Sequence, residues 1–292
     1  MQRDHTFGGW LFDKVNIILL IGFAAVCILP FIYIIAGSFS TAEDLGSRGF
    51  ILFPKHFSLD AYQYLFSTPT LSRSLAVSVF ITVAGTLINL VFTSLMAYPL
   101  ARKDLDGRRP IMLMVIFSML FSGGMIPTFL VVKELGIMDT YWAVLIPGAI
   151  SAFNLIILKN FFQQMPEGIE ESAKIDGCNE LSLLIRIVLP LSAPAMATFA
   201  LFYSVGHWNM YFDAILYLND PEKWPVQVLL RQIVILSQGG VGDSQKMVDH
   251  FVPPSETIKM ATIVLSTVPI LCLYPFLQKH FAKGILLGSV KG

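Results

Sequence analysis

His207, Trp208, Asn209, Tyr211 and Asp213 place an imidazole, an indole, an amide, a phenol and a carboxylate in one short stretch of a long apolar run. Flat rings that stack, beside amide or carboxylate groups that hydrogen-bond, can hold a polyhydroxylated solute. Ionisable groups at membrane depth are costly and usually face a protein interior or a water-filled path. One reading therefore sets these residues beside a path for such a solute. The other has the run already emerging into water by position 207, so that they simply meet solvent. Asn89 and Asn154 sit in the middle of two other apolar runs. They either line the same path or bond a neighbouring helix, worth about 0.6–2 kcal/mol. Gly85 and Gly148 read as close-packing positions.

No catalytic spacing accompanies these groups. The chain has no His-Glu-x-x-His, no Gly-x-Ser-x-Gly and no Gly-x4-Gly-Lys-Ser/Thr. Gly239-Gly240-Val241-Gly242 is glycine-rich but lacks the Lys-Ser/Thr ending of a phosphate-binding loop. Cys27, Cys178 and Cys272 are widely spaced and read as packing residues rather than a disulfide framework. The expectation is a non-enzyme that itself binds no cofactor and no metal.

The elements that must position these groups are apolar helices. Only 14% of the residues are charged and 55% are hydrophobic, whereas soluble domains carry about 25% charge. Most of the surface must therefore face something apolar. Net charge is zero, which argues against nucleic acid as a partner. Spanning the hydrocarbon takes about 20 mostly apolar residues. Segments 15–37, 74–101, 111–132, 141–161, 188–218 and 258–278 qualify, so the fold class is an all-α polytopic membrane protein with six spans. Gly123-Gly124 and Pro127 predict a break in the third span. Pro194 and Gly206 predict a kink or an early end in the overlong fifth. The run after polar residues 1–14 is far too long for a signal core of about 7–15 residues, so no cleavable signal is expected.

Basic residues set orientation. With both termini inside, the inner segments carry 12 Lys and Arg and the longer outer ones 8. Arg102 to Arg109 is the clearest inner marker. The outer loops then run over about 38–73 and 219–257. Trp142, Trp208 and Trp224, with Tyr62, Tyr64, Tyr141 and Tyr217, fall near helix ends and read mostly as an interfacial belt.

Residues 162–189 are the one long charged insert, and this orientation places them inside. Pro166 suits a first helical position, and Glu167, Glu170 and Glu171 suit the positive helix start. Gly177 breaks the run. Leu181, Leu184, Ile185 and Val188 then recur at i, i+3, i+4, i+7. Two short helices bent at a glycine are predicted.

Glu171-Ser172-Ala173, Asp176-Gly177 and Ile187-Val188-Leu189-Pro190 resemble the Glu-Ala-Ala loop of ATP-binding-cassette importer permeases, with matching spacing throughout. Ser172 and Cys178 stand where that family usually has Ala. Phe53-Pro54, Phe57-Ser58-Leu59 and Tyr62, and the ending Phe281 to Gly292, resemble carbohydrate-uptake permeases, in particular the six-helix permease of the maltose importer. Phe121 to Thr128 and His207 to Ala214 are similar to a branch handling oligosaccharides and polysaccharide fragments. The resemblance implies one permease domain over 1–292, with cytoplasmic segments 1–14, 162–189 and 279–292, in a bacterial cytoplasmic membrane. It implies that Glu170, Glu171, Ala173, Asp176, Gly177 and Leu181 shape a helix that docks on an ATPase. The plainer reading of those residues is a solvated charged face.

The implied partners are a second homologous permease, two copies of an ATP-binding subunit that use ATP and Mg, an external solute-binding protein, and lipid. A self-contained secondary transporter or channel for a small polar solute is the alternative. It usually shows internal repeats and mid-membrane charges, which are not evident here.

Overall fold

The computed structural model describes residues 7–47, 50–237 and 256–288. Gly239–Gly242, most of the second outer loop, residues 1–6 and residues 289–292 lie outside them. The described residues are helical and contain no strand.

In chain order the helices are α1 (Phe7–Ser38), α2 (Ala42–Ser47), α3 (Asp60–Ser67), α4 (Pro69–Ala101), α5 (Arg108–Leu120), α6 (Met125–Glu134), α7 (Trp142–Leu145), α8 (Ala152–Gln163), α9 (Glu167–Ile175), α10 (Glu180–Leu183), α11 (Leu189–Leu191), α12 (Ala193–Trp208), α13 (Phe212–Tyr217), α14 (Val226–Ser237) and α15 (Glu256–Gly288). A π-helical turn, Leu184–Val188, joins α10 to α11. The chain divides into two compact units, Met1–Pro69 with Leu230–Thr267, and Thr70–Leu229 with Val268–Gly292.

In the first unit, none of the most apolar window of α1 is buried. Trp10, Phe12, Ile18, Leu19, Leu20, Phe23 and Val26 all stand exposed. A helix apolar all round and bare on every side belongs in lipid or against another subunit. Beyond it, the Phe39 ring stacks on Phe57 and Tyr62 at 5.4 and 5.0 Å. The Ser38 hydroxyl meets the Tyr62 hydroxyl at 2.8 Å, and the Asp44 carboxylate accepts the His56 backbone N–H at 3.0 Å. Gly37 lets Met260 of α15 approach α1, because a Cβ there would overlap its sulfur.

The second unit is built on α4, which is polar inside and apolar outside. Ser74, Ser78, Thr82, Gly85, Asn89 and Thr93 recur every three or four residues on its buried face. Val79, Phe80, Val83, Leu87, Val91 and Leu95 are exposed. In lipid this inversion is expected, since small and polar residues pack and hydrogen-bond between helices while apolar ones face the tails. Two apolar clusters flank the polar stretch. Val77 and Ile81 pack with Val132, Ala143, Val144, Leu145, Tyr217 and Leu218. Ala97, Tyr98 and Leu100 pack with Leu155, Leu158, Leu183, Leu184, Val188, Phe199 and Tyr203.

Helix breaks follow Gly and Pro. α5 and α6 meet at 115°, across Gly124 with φ +87°, as Gly123-Gly124 predicts. The α10–α11 stretch meets α12 at 86°, beside Pro190 and Pro194. The fifth segment ends early: α12 stops at Trp208, where the Asn209 side-chain amide donates to the Val205 carbonyl at 2.9 Å and competes with the helix. The fourth segment is not the single helix expected over 141–161. Pro147-Gly148 divides it into α7 and α8, and Ser151 caps α8 by accepting the Asn154 N–H. By length and composition, α1 and α4 each suffice to cross a membrane, as do the two bent pairs if each counts as one span.

Candidate functional site

Between the two apolar clusters of the second unit lies a cavity of about 460 Å³. Asn89 reaches it from α4, Asn154 and Ser151 from the start of α8, Tyr203 and His207 from α12, and Asp213 from α13. Thr128, Gly148, Phe202, Met210 and Tyr217 complete much of its wall. Four residues singled out in sequence thus converge from four helices.

The cavity wall is organised by one hydrogen-bond relay. The Asn89 amide donates to the Gly148 carbonyl at 2.6 Å. Its oxygen must then face His207, whose Nε2 lies 2.6 Å away. A carbonyl oxygen only accepts, so His207 Nε2 carries the proton and donates. That leaves His207 Nδ1 as a lone pair, and it is buried with no partner. Gly85 makes the arrangement possible, because any Cβ there would overlap the imidazole ring. Thr93 and Tyr203 share a second buried bond across the same interface, 2.8 Å between hydroxyls.

These observations sort the sequence expectations. Asn89 bonds neighbouring segments and also borders the cavity. His207 is buried, not released into water. Gly85 is a close-packing position; Gly148 is not, since nothing lies near its Cβ position, and its carbonyl is the group used. Trp208 is buried and Tyr211 exposed, and neither they nor Asn209 line the cavity. Trp208 is one residue past His207 and so about 100° further round α12, while beyond the helix Met210 and Asp213, not Asn209 and Tyr211, reach the cavity wall. Trp208 and Tyr217 are likewise too buried for an interfacial belt, while Trp142 and Tyr64 remain exposed. Tyr203, Ser151 and Thr128 were not singled out in sequence. The small-polar stripe of α4 was the available signal that its partners would also be polar.

The charged insert folds as two short helices, α9 and α10, joined at Gly177 with φ +82°. Asn179 caps α10, accepting the Ser182 N–H at 2.8 Å. Ala173, Leu183, Leu184 and Val188 are buried against the end of α4. Glu171, Asp176 and Gly177 are exposed, as are Ile175 and Leu181. The expected apolar stripe is therefore divided: Leu184 and Val188 face the core, while Leu181 and Ile185 stay bare.

Arg102, one residue past α4, was expected only as an orientation marker. It holds the Glu170 carboxylate with one terminal nitrogen. The other terminal nitrogen reaches Glu180 at 2.8 Å and the Tyr98 hydroxyl. Elsewhere, the Asp139 carboxylate accepts the Lys223 ammonium at 2.8 Å and the Asn219 and Asp220 N–H groups at 3.0 and 3.1 Å. The Lys223 hydrogen bond, helped by the Asp220 N–H, holds the Asp139 carboxyl below its ordinary range, and the same bond raises Lys223. Among the described residues no cluster of His, Cys, Asp and Glu could hold a metal ion.

Residues 107–287 match the family described as binding-protein-dependent transport system inner membrane component. Over 282 residues the chain is 62% identical to the polygalacturonan/rhamnogalacturonan transport system permease protein YtcP of Bacillus subtilis (strain 168), covering 97% of this chain and 99% of that one. It is 60% identical over 288 residues to Protein LplC of the same organism, covering 99% and 97%. Among solved structures it is similar to a chain of a bacterial ABC transporter involved in the import of the acidic polysaccharide alginate. There the TM-score is 0.87 at 33% identity, over 96% of this chain and all of that one.

Proposed function

The chain belongs to the family of binding-protein-dependent transport system inner membrane components, and from that membership we propose that it conducts an oligosaccharide or polysaccharide fragment through the cavity at Asn89, Asn154, His207 and Asp213. It is a permease subunit of an ABC importer. It crosses the membrane six times, by α1, α4, the bent pair α5–α6, α7–α8, α10–α12 and α15, with both termini inside. A second permease completes the path. Of two ATPase copies, one docks on this chain's inner loop through Glu171, Asp176, Gly177 and the exposed Leu181 and the other on the second permease, and an external binding protein delivers the solute.

The observation that carries this reading is the cavity: the buried amides of Asn89 and Asn154 and the buried Tyr203 hydroxyl converge in a bundle whose outer surface is apolar, with the exposed Asp213 carboxylate on the same wall. Such groups are retained at membrane depth when they serve a path or a partner. The Asn154 and Ser151 side chains suit hydroxyl donors.

The test is reconstitution of the full importer. ATP hydrolysis should rise with a binding protein loaded with oligosaccharide; stimulation only by amino acids, peptides or metal ions would overturn the reading. Asp213 is the carboxylate on the cavity wall, and it repels a uronate. Asp213→Asn should therefore raise uptake of uronate fragments several-fold relative to neutral ones. An unchanged ratio would remove Asp213 from the path.

A further inference from the structure

We propose that Arg102 is a positioning residue that closes the hinge between α9 and α10 and binds both to the end of α4, so that the inner loop and the cavity-lining helix move as one body. This rests on the reading that the loop docks an ATPase.

The two loop helices meet at Gly177, a position with positive φ and open space around it. Left to that joint, a push on one helix would be lost in bending. Arg102 spans the joint from a third element. One terminal nitrogen takes Glu170 of α9, and the other takes Glu180 of α10. Lys174 of α9 grips the second Glu180 oxygen at 2.8 Å, so Glu180 is held from both sides of the bend. Tyr98, one turn earlier on α4, donates its hydroxyl to Glu180 at 2.9 Å, and its ring lies 4.9 Å from the guanidinium.

The Arg102–Glu170 pair is the sheltered part of this network: its side chains are each only 19% exposed, whereas Glu180 is 60% exposed, and exposed pairs contribute little by comparison. A planar guanidinium can serve two carboxylates and a phenol at fixed angles, and an ammonium cannot. The site sits on the apolar contacts of Ala173, Leu183 and Leu184 with Ala97 and Leu100. Those contacts seat the loop, while the charges fix its direction.

Along α4, Arg102 lies roughly 20 Å from Asn89 at 1.5 Å per residue. Asn89 in turn holds Gly148 and His207. A displacement of the loop therefore has a continuous helical route to the cavity wall.

The experiment compares Arg102→Ala, Arg102→Lys and Glu170→Gln in the assembled importer, with ATPase, second permease and binding protein present. Two quantities are read: ATPase retained on purification, and ATP hydrolysed per sugar transported. All three variants should keep the ATPase. The ATP cost per sugar should rise about tenfold in Arg102→Ala and by less in the other two. A wild-type ratio in Glu170→Gln and Arg102→Ala would overturn the proposal. So would loss of the ATPase from Glu170→Gln, since the pair would then serve docking. Glu171→Lys, on the exposed face of α9, separates the underlying reading: if that variant keeps its ATPase, docking on this loop fails, whatever Arg102 does.

Discussion

At the residue scale, the chain spends its polar groups on contacts between helices. Asn89 satisfies a carbonyl freed by the Pro147-Gly148 break and fixes the tautomer of His207 with its other end. Gly85 is the position on which this depends. Gly85→Val would drive two methyl groups into the imidazole, and overpacking of this kind costs about 1–3 kcal/mol. The Asn89–His207 bond should break while the helices still insert. Sugar uptake should fall by tenfold or more with the complex intact, and Gly85→Ala should fall between Val and wild type. Uptake by Gly85→Val at the wild-type rate would show that the relay does not shape the path.

At the element scale, two joints can be tested separately. The first is the α9–α10 bend. Gly177 has φ +82°, which costs other residues about 1–2 kcal/mol and β-branched ones most. Gly177→Val should therefore distort the bend without disturbing insertion. Substrate-stimulated hydrolysis should drop at least tenfold; normal stimulation would mean the bend is not needed. The second joint ties Asp139, between α6 and α7, to residues 219–223 after α13. The Asp139 carboxyl is depressed by Lys223 and two backbone donors. Its contribution is thus complete above the ordinary carboxylate range and disappears as pH falls through the depressed value. The raised Lys223 acts oppositely: its contribution is complete below the ordinary lysine value and disappears as pH rises through the raised one. Protection of the Asn219 and Asp220 amides from hydrogen exchange should accordingly be flat across neutral pH and fall only at acid or strongly alkaline extremes. Asp139→Asn should lose protection at every pH. A titration centred near neutral pH would contradict this account.

At the scale of the whole molecule, orientation is the decisive property. The basic-residue bias predicts 162–189 inside and residue 219 outside. With Cys27, Cys178 and Cys272 replaced, a single cysteine at Asn219 should react with an impermeant thiol reagent added to intact cells, and one at Asn179 should not. Both positions are exposed in the structure, so the membrane alone decides the result. Reversed labelling would overturn the six-span arrangement. The bare apolar surface of α1 gives the same molecule a second requirement, a lipid or protein cover along its length.

Much of this was readable before any coordinates. Hydropathy over about 20 residues marks helices that need lipid, and Gly123-Gly124, Pro194 and Gly177 each mark a break by local backbone chemistry. The two short helices of the inner loop were legible for the same reason, because caps, prolines and glycines act within a turn. The division of the fourth span at Pro147-Gly148 was also written locally, and its apolar composition outweighed it. What only packing decided is who meets whom. The Asn89–His207 pair is separated by 118 positions and the Arg102–Glu180 pair by 78, and no periodicity links them. Trp208, Asn209 and Tyr211 look equivalent to His207 in the chain, and only the packed helices set them apart, since Met210 and Asp213 from the same stretch stay on the cavity wall. Local rules state where a helix starts, bends and stops; the partner of a buried polar group depends on which helices close around it, and that is a property of the assembled bundle.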